Sequence, residues 1–292
     1  MEGTGAVAQS ELIADLETPS GKRKDDENFP VGSWLIRREL RPHVHAFYRF
    51  AREADDIADN PGLAAEDKVR RLARKGAILD GASGDDSPSA LAMRQSLKET
   101  GITAQHCHDV LRAFTMDATK LRYRDWDDLM GYCRYSATPV GRQVLDLHGE
   151  SRDTWTWSDP LCDALQVLNH LQDCAEDYRA LDRVYLPERD LAACGSKVAD
   201  LAGRSTTPGL RRVIDRLLDG TDALIDKART LPRAVQSTGL RRETAVIVTL
   251  AERLARRLRQ GDPLAMRVKL TRGDFAASLL WGLWRGRRWG QG

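Results

Sequence analysis

Arg52-Glu53-Ala54-Asp55-Asp56-Ile57-Ala58-Asp59-Asn60 and, far downstream, Asn169-His170-Leu171-Gln172-Asp173-Cys174-Ala175-Glu176-Asp177-Tyr178 decide how this chain is read. In each stretch two aspartates stand four residues apart within a helical pattern, Asp55 with Asp59 and Asp173 with Asp177. Residues at that spacing share one helix face and lie about 5–6 Å apart. Like charges so placed repel, so a helix tolerates them best when something positive sits between them.

The first cluster alone has two readings. Asp55, Asp56 and Asp59 close a helix at the end where its dipole favours cations, which suits a solvated acidic tip. The same helix carries Phe47, Phe50, Ala51 and Ala54 just before the cluster, which places it near a core. Arg52, one turn earlier, is either an ion-pair partner or a phosphate contact. The second cluster, Asn169, Asp173 and Asp177, falls at i, i+4 and i+8, with Leu165, Leu168 and Leu171 on the flank. The plain alternative there is a polar stripe with Asn169 as a surface amide. An amide and two carboxylates in line are hard oxygen ligands, suited to Mg²⁺ rather than zinc. Facing each other, the two clusters would form a cage for Mg²⁺ and a diphosphate. A calcium-binding loop is a poorer match, because neither stretch has its alternating ligands, central glycine and terminal glutamate.

The rest of the chain narrows the class. Its 292 residues are 41% hydrophobic and 30% charged, enough for a sizeable core. A formal net charge of +2 does not describe a protein that coats a polyanion, so nucleic acid is not an expected partner. The five cysteines (Cys107, Cys133, Cys162, Cys174, Cys194) form no CxxC pair, which argues against a zinc site or a disulfide framework. The polar N-terminus lacks signal-peptide order, and the longest apolar run, from Phe275 to Trp284, is too short to span a bilayer. A cytoplasmic protein is expected, with possible peripheral contact at the inner face of the membrane through Trp281, Trp284 and Trp289 with Arg285, Arg287 and Arg288. A core-facing terminal helix with a basic frayed end is the alternative.

Residues 1–26 lack apolar periodicity and are expected to form a disordered tail. Helical patterns run over about 39–59, 64–79, 88–99, 103–119, 126–148, 158–180, 196–203, 207–231, 240–260 and 273–286, and convincing strands are absent. Ser158-Asp159-Pro160 reads as an N-cap with proline in the first turn, and 181–194 as an irregular loop. Residues 27–292 are therefore expected to form one all-α domain. His106 and His108 point to different helix faces, and His43, His45, His148 and His170 lack a nucleophile partner, so packing or surface roles are expected for all six.

Together the two acidic stretches and Tyr132-Cys133-Arg134-Tyr135-Ser136-Ala137-Thr138-Pro139-Val140-Gly141 resemble the trans-isoprenyl diphosphate synthases of the squalene and phytoene synthase type. The resemblance runs from about Glu27 to the last helices. Glu27-Asn28-Phe29-Pro30-Val31-Gly32-Ser33 and Asp182-Arg183-Val184-Tyr185-Leu186-Pro187 look most like the bacterial hydroxysqualene-forming branch, in the hopanoid pathway. One departure is Gln172, where condensing relatives often carry arginine.

The resemblance implies an all-α helical bundle, an isoprenoid synthase domain around a deep apolar cavity. It implies Mg²⁺ held by Asp55, Asp56, Asp59, Asn169, Asp173 and Asp177, and catalysis by Asp55, Asp59, Asp173, Asp177 and Tyr132. Substrate would be held by Asn28, Phe29, Arg52, Gln172, Arg183 and Tyr185, with Lys120 or Arg122 as further phosphate contacts. The implied substrate is presqualene diphosphate, with farnesyl diphosphate as the alternative for a condensing enzyme of the same family. A functional link to a presqualene diphosphate synthase is implied as well. No NADPH is expected, since no GxGxxG strand–helix unit is present. A non-catalytic helical assembly factor is the rival from another class, although such proteins tend to have eroded carboxylate motifs.

Overall fold

The structure is a computed structural model that describes residues 36–288, with side chains as far as residue 282. The expected tail over residues 1–26, the substrate contacts Asn28 and Phe29, the side chains of Trp284, Arg285, Arg287 and Arg288, and Trp289 lie outside the described residues. The helices are α1 (Arg41–Asp59), α2 (Ala65–Leu79), α3 (Pro88–Thr100), α4 (Gln105–Thr119), α5 (Trp126–Ser136), α6 (Thr138–Leu147), α7 (Trp155–Leu181), α8 (Glu188–Ala193), α9 (Pro208–Ala228), α10 (Leu231–Ala234), α11 (Thr238–Gln260) and α12 (Arg272–Arg288). Among the described residues there is no strand, only one isolated bridge between Arg122 and Val184. The all-α expectation holds.

Apolar periodicity explains which faces are buried. α1 hides Val44, Phe47, Phe50, Ala54, Ile57 and Ala58, one stripe at helical spacing. Phe47, Phe50, Ala54 and Ile57 of that stripe join Leu72, Ile78, Met93, Val110 and Leu111 in a core shared by α1 to α4. A second, larger core gathers α5 to α11 around α7, whose Val167, Leu168 and Leu171 are fully buried. α4 packs against α1 and α2 on one side and α5 and α6 on the other, so it bridges the two cores. The acidic ends of α1 and α7 therefore belong to different cores.

Three local expectations are revised. The 126–148 pattern divides at Ala137, where Thr138-Pro139 starts α6 afresh. Gly141 then sits against α7: a Cβ there would lie 2.5 Å from Cys162 Sγ and 2.7 Å from Ser158 Oγ. Ser158-Asp159-Pro160 does not cap α7. The helix starts at Trp155, led in by a 3₁₀ turn that Ser151 caps, and Pro160 lies inside it. Asp159 is instead paired with Arg142, and buried Ser158 packs beside Gly141. The 181–194 segment contains a short helix, α8, as well as loop.

Leu168→Ala is expected to cost about 2–5 kcal/mol, the usual range for emptying a buried leucine site. Gly141→Ala should also lower stability, because α6 must move off α7. Urea denaturation of both variants checks this: a change in midpoint with unchanged slope is the expected result.

Candidate active site

Asp182 terminates α7 in the left-handed conformation, φ 52°, and is the only non-glycine with positive φ among the described residues. Aspartate is one of the few side chains that tolerates this geometry. The turn sends the next residue, Arg183, back under the helix end. Its backbone N–H donates to the Asp177 carbonyl at 3.2 Å. Its guanidinium then reaches α1, with Nη1 at 2.5 Å from Asp59 Oδ1 and Nη2 donating to the Ala58 carbonyl at 2.7 Å. Nε donates to the Asp117 carbonyl on α4 at 2.9 Å. One buried arginine thus joins the ends of both acidic helices.

Around Arg183 lies a buried polar group of aromatic rings and one acid. Tyr132 and Tyr185 donate their hydroxyls to the two oxygens of Asp117, at 2.9 and 2.8 Å. Tyr185 stacks on His170, ring centres 3.5 Å apart, and on Tyr123 at 5.5 Å. Burial pushes the Asp117 carboxyl up to about 6, against the pull of Arg183 and the two tyrosine hydroxyls. Burial, reinforced by the positive charge of Arg183, pushes His170 down to about 3, so its ring stays neutral. Burial alone would lower the Arg183 pKa, but Asp117, Tyr185 and Asp59 outweigh it and hold the group above its ordinary value.

Asp55, Asp56 and Asp173 are also turned to arginines. Arg52 lies 3.3 Å from Asp55 and 3.2 Å from Asp56, so it acts here as an ion-pair partner. Asp173 takes a two-pronged contact from Arg267, with Nε 2.6 Å from Oδ1 and Nη2 2.9 Å from Oδ2. Arg267 belongs to the α11–α12 connection, which Gln172 secures by donating to the Val268 carbonyl. Gln172 is 2% exposed. Lys120 and Arg122 are held by Asp128 and Asp182 at 2.6 Å each. Asn169 and Asp177 stand on the half-buried face of α7 with Asp173.

Among the described residues, no three acidic, histidine or cysteine side chains converge closely enough to hold a metal ion alone. Asp55, Asp56, Asp59 and Asp173 stand instead under arginine cover. The donor set still fits Mg²⁺, which commonly binds through one or two carboxylates, with substrate phosphate completing its shell. Sequence reasoning missed Asp117, Arg267 and the placement of His170. Neither Asp117 nor Arg267 carries a motif, and Arg267 meets Asp173 across 94 residues of chain. His106 and His108 face Asp146 and Asp80 respectively.

Residues 22–274 match the squalene/phytoene synthase family. This chain belongs to that family. The hydroxysqualene synthase of Rhodopseudomonas palustris is 47% identical over 264 residues, covering 90% of each chain. That of Zymomonas mobilis is 45% identical, covering 85% of this chain and 84% of its own. Among solved structures, squalene synthase HpnC from Alicyclobacillus acidocaldarius is 31% identical with a TM-score of 0.68, covering 87% of this chain and 94% of that one. A dehydrosqualene synthase in complex with ligand superposes at a TM-score of 0.78 with 20% identity, covering 97% and 99%, which shows the fold. The expected all-α isoprenoid synthase architecture of the squalene/phytoene synthase family is thus confirmed.

Asp117 gives a pH signature. The folded chain binds its proton near pH 6, whereas the unfolded chain does so near the ordinary value of 3.8. Between these values the folded state holds the extra proton, so this group's contribution to stability grows as pH falls. Asp117→Asn should remove that contribution, and its melting temperature should drop more steeply than wild type on acidification from pH 6 to 4. Parallel melting profiles for the two proteins would contradict the assignment.

Proposed function

We propose that this chain is a hydroxysqualene synthase, taking presqualene diphosphate to hydroxysqualene and diphosphate in squalene and hopanoid biosynthesis. The observation that carries the reading is the run of three hydroxysqualene synthases that are 42–47% identical to this chain over most of its length. The intact aspartates argue for an enzyme over a non-catalytic assembly factor.

The chemistry needs the C–O bond of the cyclopropylcarbinyl carbon to break with its electron pair leaving on diphosphate. The resulting cyclopropylcarbinyl cation rearranges, one water adds, and that water loses a proton. Mg²⁺, when bound, neutralises the departing diphosphate. Asp55, Asp56 and Asp59 on α1 and Asn169, Asp173 and Asp177 on α7 are the residues that would hold it. Arg52, Arg183 and Arg267 already neutralise Asp55, Asp56, Asp59 and Asp173, and turning toward phosphate oxygens would let them bind the leaving group. Tyr132 and Tyr185, fixed by Asp117, give the site rigid aromatic walls, and an aromatic face stabilises a nearby cation. Asn28 and Phe29 are proposed as substrate contacts. Gln172 contributes by holding the loop that presents Arg267.

No hydride enters this balance, so no NADPH is required. We also read residues 27–292 as a single isoprenoid synthase domain, acting in the cytoplasm at the inner face of the membrane and supplied by a presqualene diphosphate synthase. Condensation of farnesyl diphosphate is the second reading. It draws on the 31% identical solved structure, a squalene synthase.

Purified protein supplied with presqualene diphosphate and Mg²⁺, without NADPH, is expected to give hydroxysqualene. Consumption of farnesyl diphosphate alone, or squalene formed only with NADPH, would sink the proposal. Asp55→Asn and Asp173→Asn should each lower turnover by about 10²-fold or more, the scale on which electrostatic stabilisation of a developing charge acts. The same variants should lose most of the rise in melting temperature that Mg²⁺ with inorganic pyrophosphate gives the wild type.

A further inference from the structure

The last two helices carry a surface that the site does not use. α12 meets α11 through small and polar residues: Asp274 and Ser278 are buried, and so is Gly282. A Cβ at Gly282 would lie 2.6 Å from Val246 Cγ2 and 2.9 Å from the Val246 backbone nitrogen. The large apolar residues point outward instead. Leu280 is 71% exposed, Trp281 43% and Phe275 37%. A helix that merely completes a core shows the reverse pattern, with its apolar stripe inward.

Beside this inverted helix runs a groove of about 720 Å³ between α11 and α12, lined by Glu252, Arg253, Arg256, Ala277, Leu280 and Trp281 among others. Its acid is already neutralised, since Glu252 pairs with Arg229 at 2.8 Å. Arg253 reaches Asp274 at 3.5 Å. Arg256 is exposed and joins no ion pair among the described residues. The wider segment is strongly basic. Thr238 to Arg288 holds twelve arginines and lysines against four acids, in a chain whose formal net charge is only +2. No helix among the described residues is long and apolar enough to cross a membrane.

We propose that the α11–α12 face docks on an anionic phospholipid bilayer. Leu280 and Trp281 enter the headgroup layer, where tryptophan is favoured, while Arg256 and its basic neighbours pair with lipid phosphates. Charge selects this occupant. A second copy of the chain meeting the face by two-fold symmetry would set the same basic surface against itself. An anionic lipid surface offers apolar depth and negative charge together, matching Leu280 and Trp281 beside Arg256. The docking does not depend on which prenyl diphosphate the site takes.

The test uses the full chain with phosphatidylcholine vesicles that either contain or lack phosphatidylglycerol. Wild type is expected to co-sediment with the phosphatidylglycerol vesicles and to release as salt screens the charges. Arg256→Glu, and separately the pair Leu280→Ser with Trp281→Ser, should each weaken that binding about tenfold or more, with melting temperatures unchanged. Three results overturn the proposal. They are no preference for phosphatidylglycerol, equal binding by wild type and both variants, or a wild-type dimer in analytical ultracentrifugation that the same substitutions disperse.

Discussion

A buried arginine holds this molecule's chemistry in register. Arg183 is 6% exposed, yet it contacts α1 at Asp59 and Ala58, α4 at the Asp117 carbonyl, and α7 through its own backbone. α1 and α7 bury their apolar faces in separate cores, so packing alone does not fix how their acidic ends meet. A guanidinium, with five donors in a planar fork, can answer several acceptors at once. Removing it would leave the Asp59 carboxylate and two backbone carbonyls without their charged donor, which is why such a pair is costly to break. The left-handed residue Asp182 is the local strain that makes the contact possible, and its own carboxylate is tied to Arg122.

Electrostatics of the site follow from the same constraint. The carboxylates on α1 and α7 gather like charges at the helix ends, and such a cluster repels itself. In the structure each arginine takes a share of that charge: Arg52 at Asp55 and Asp56, Arg183 at Asp59, Arg267 at Asp173. Further inside, burial shifts the titration of the polar groups. His170 is held unprotonated, and Asp117 is drawn toward its protonated form by burial. The site therefore grades from an ionic rim near the helix ends to an aromatic interior of Tyr123, Tyr132 and Tyr185. That gradient suits a reaction in which an anion leaves while a carbocation must stay dry.

Much of this was legible in the residues, but unevenly. The spacing of Asp55 with Asp59 and of Asn169, Asp173 and Asp177 needs only helical geometry to be read, and so does the apolar stripe of α1. Pro160 misled, because a serine, an aspartate and a proline in sequence look like a helix start, while Ser151 and a 3₁₀ turn had already started the helix upstream. Gln172 departs from condensing relatives in the sequence, and in the structure it is buried and donates to the Val268 carbonyl.

By itself the sequence determined the helical class, the two acidic faces and the family motifs, since each depends on residues within a few turns of one another. Tertiary structure decided which positive charge meets which carboxylate. Arg183 and Asp59 are 124 residues apart, and Arg267 and Asp173 are 94. It also decided that Asp117 would be buried under two tyrosine hydroxyls and that α12 would turn its apolar residues outward. The physical reason is range. Helical periodicity is a local property, whereas the burial of an ionisable group and the partner that offsets its desolvation are set by elements far apart in the chain.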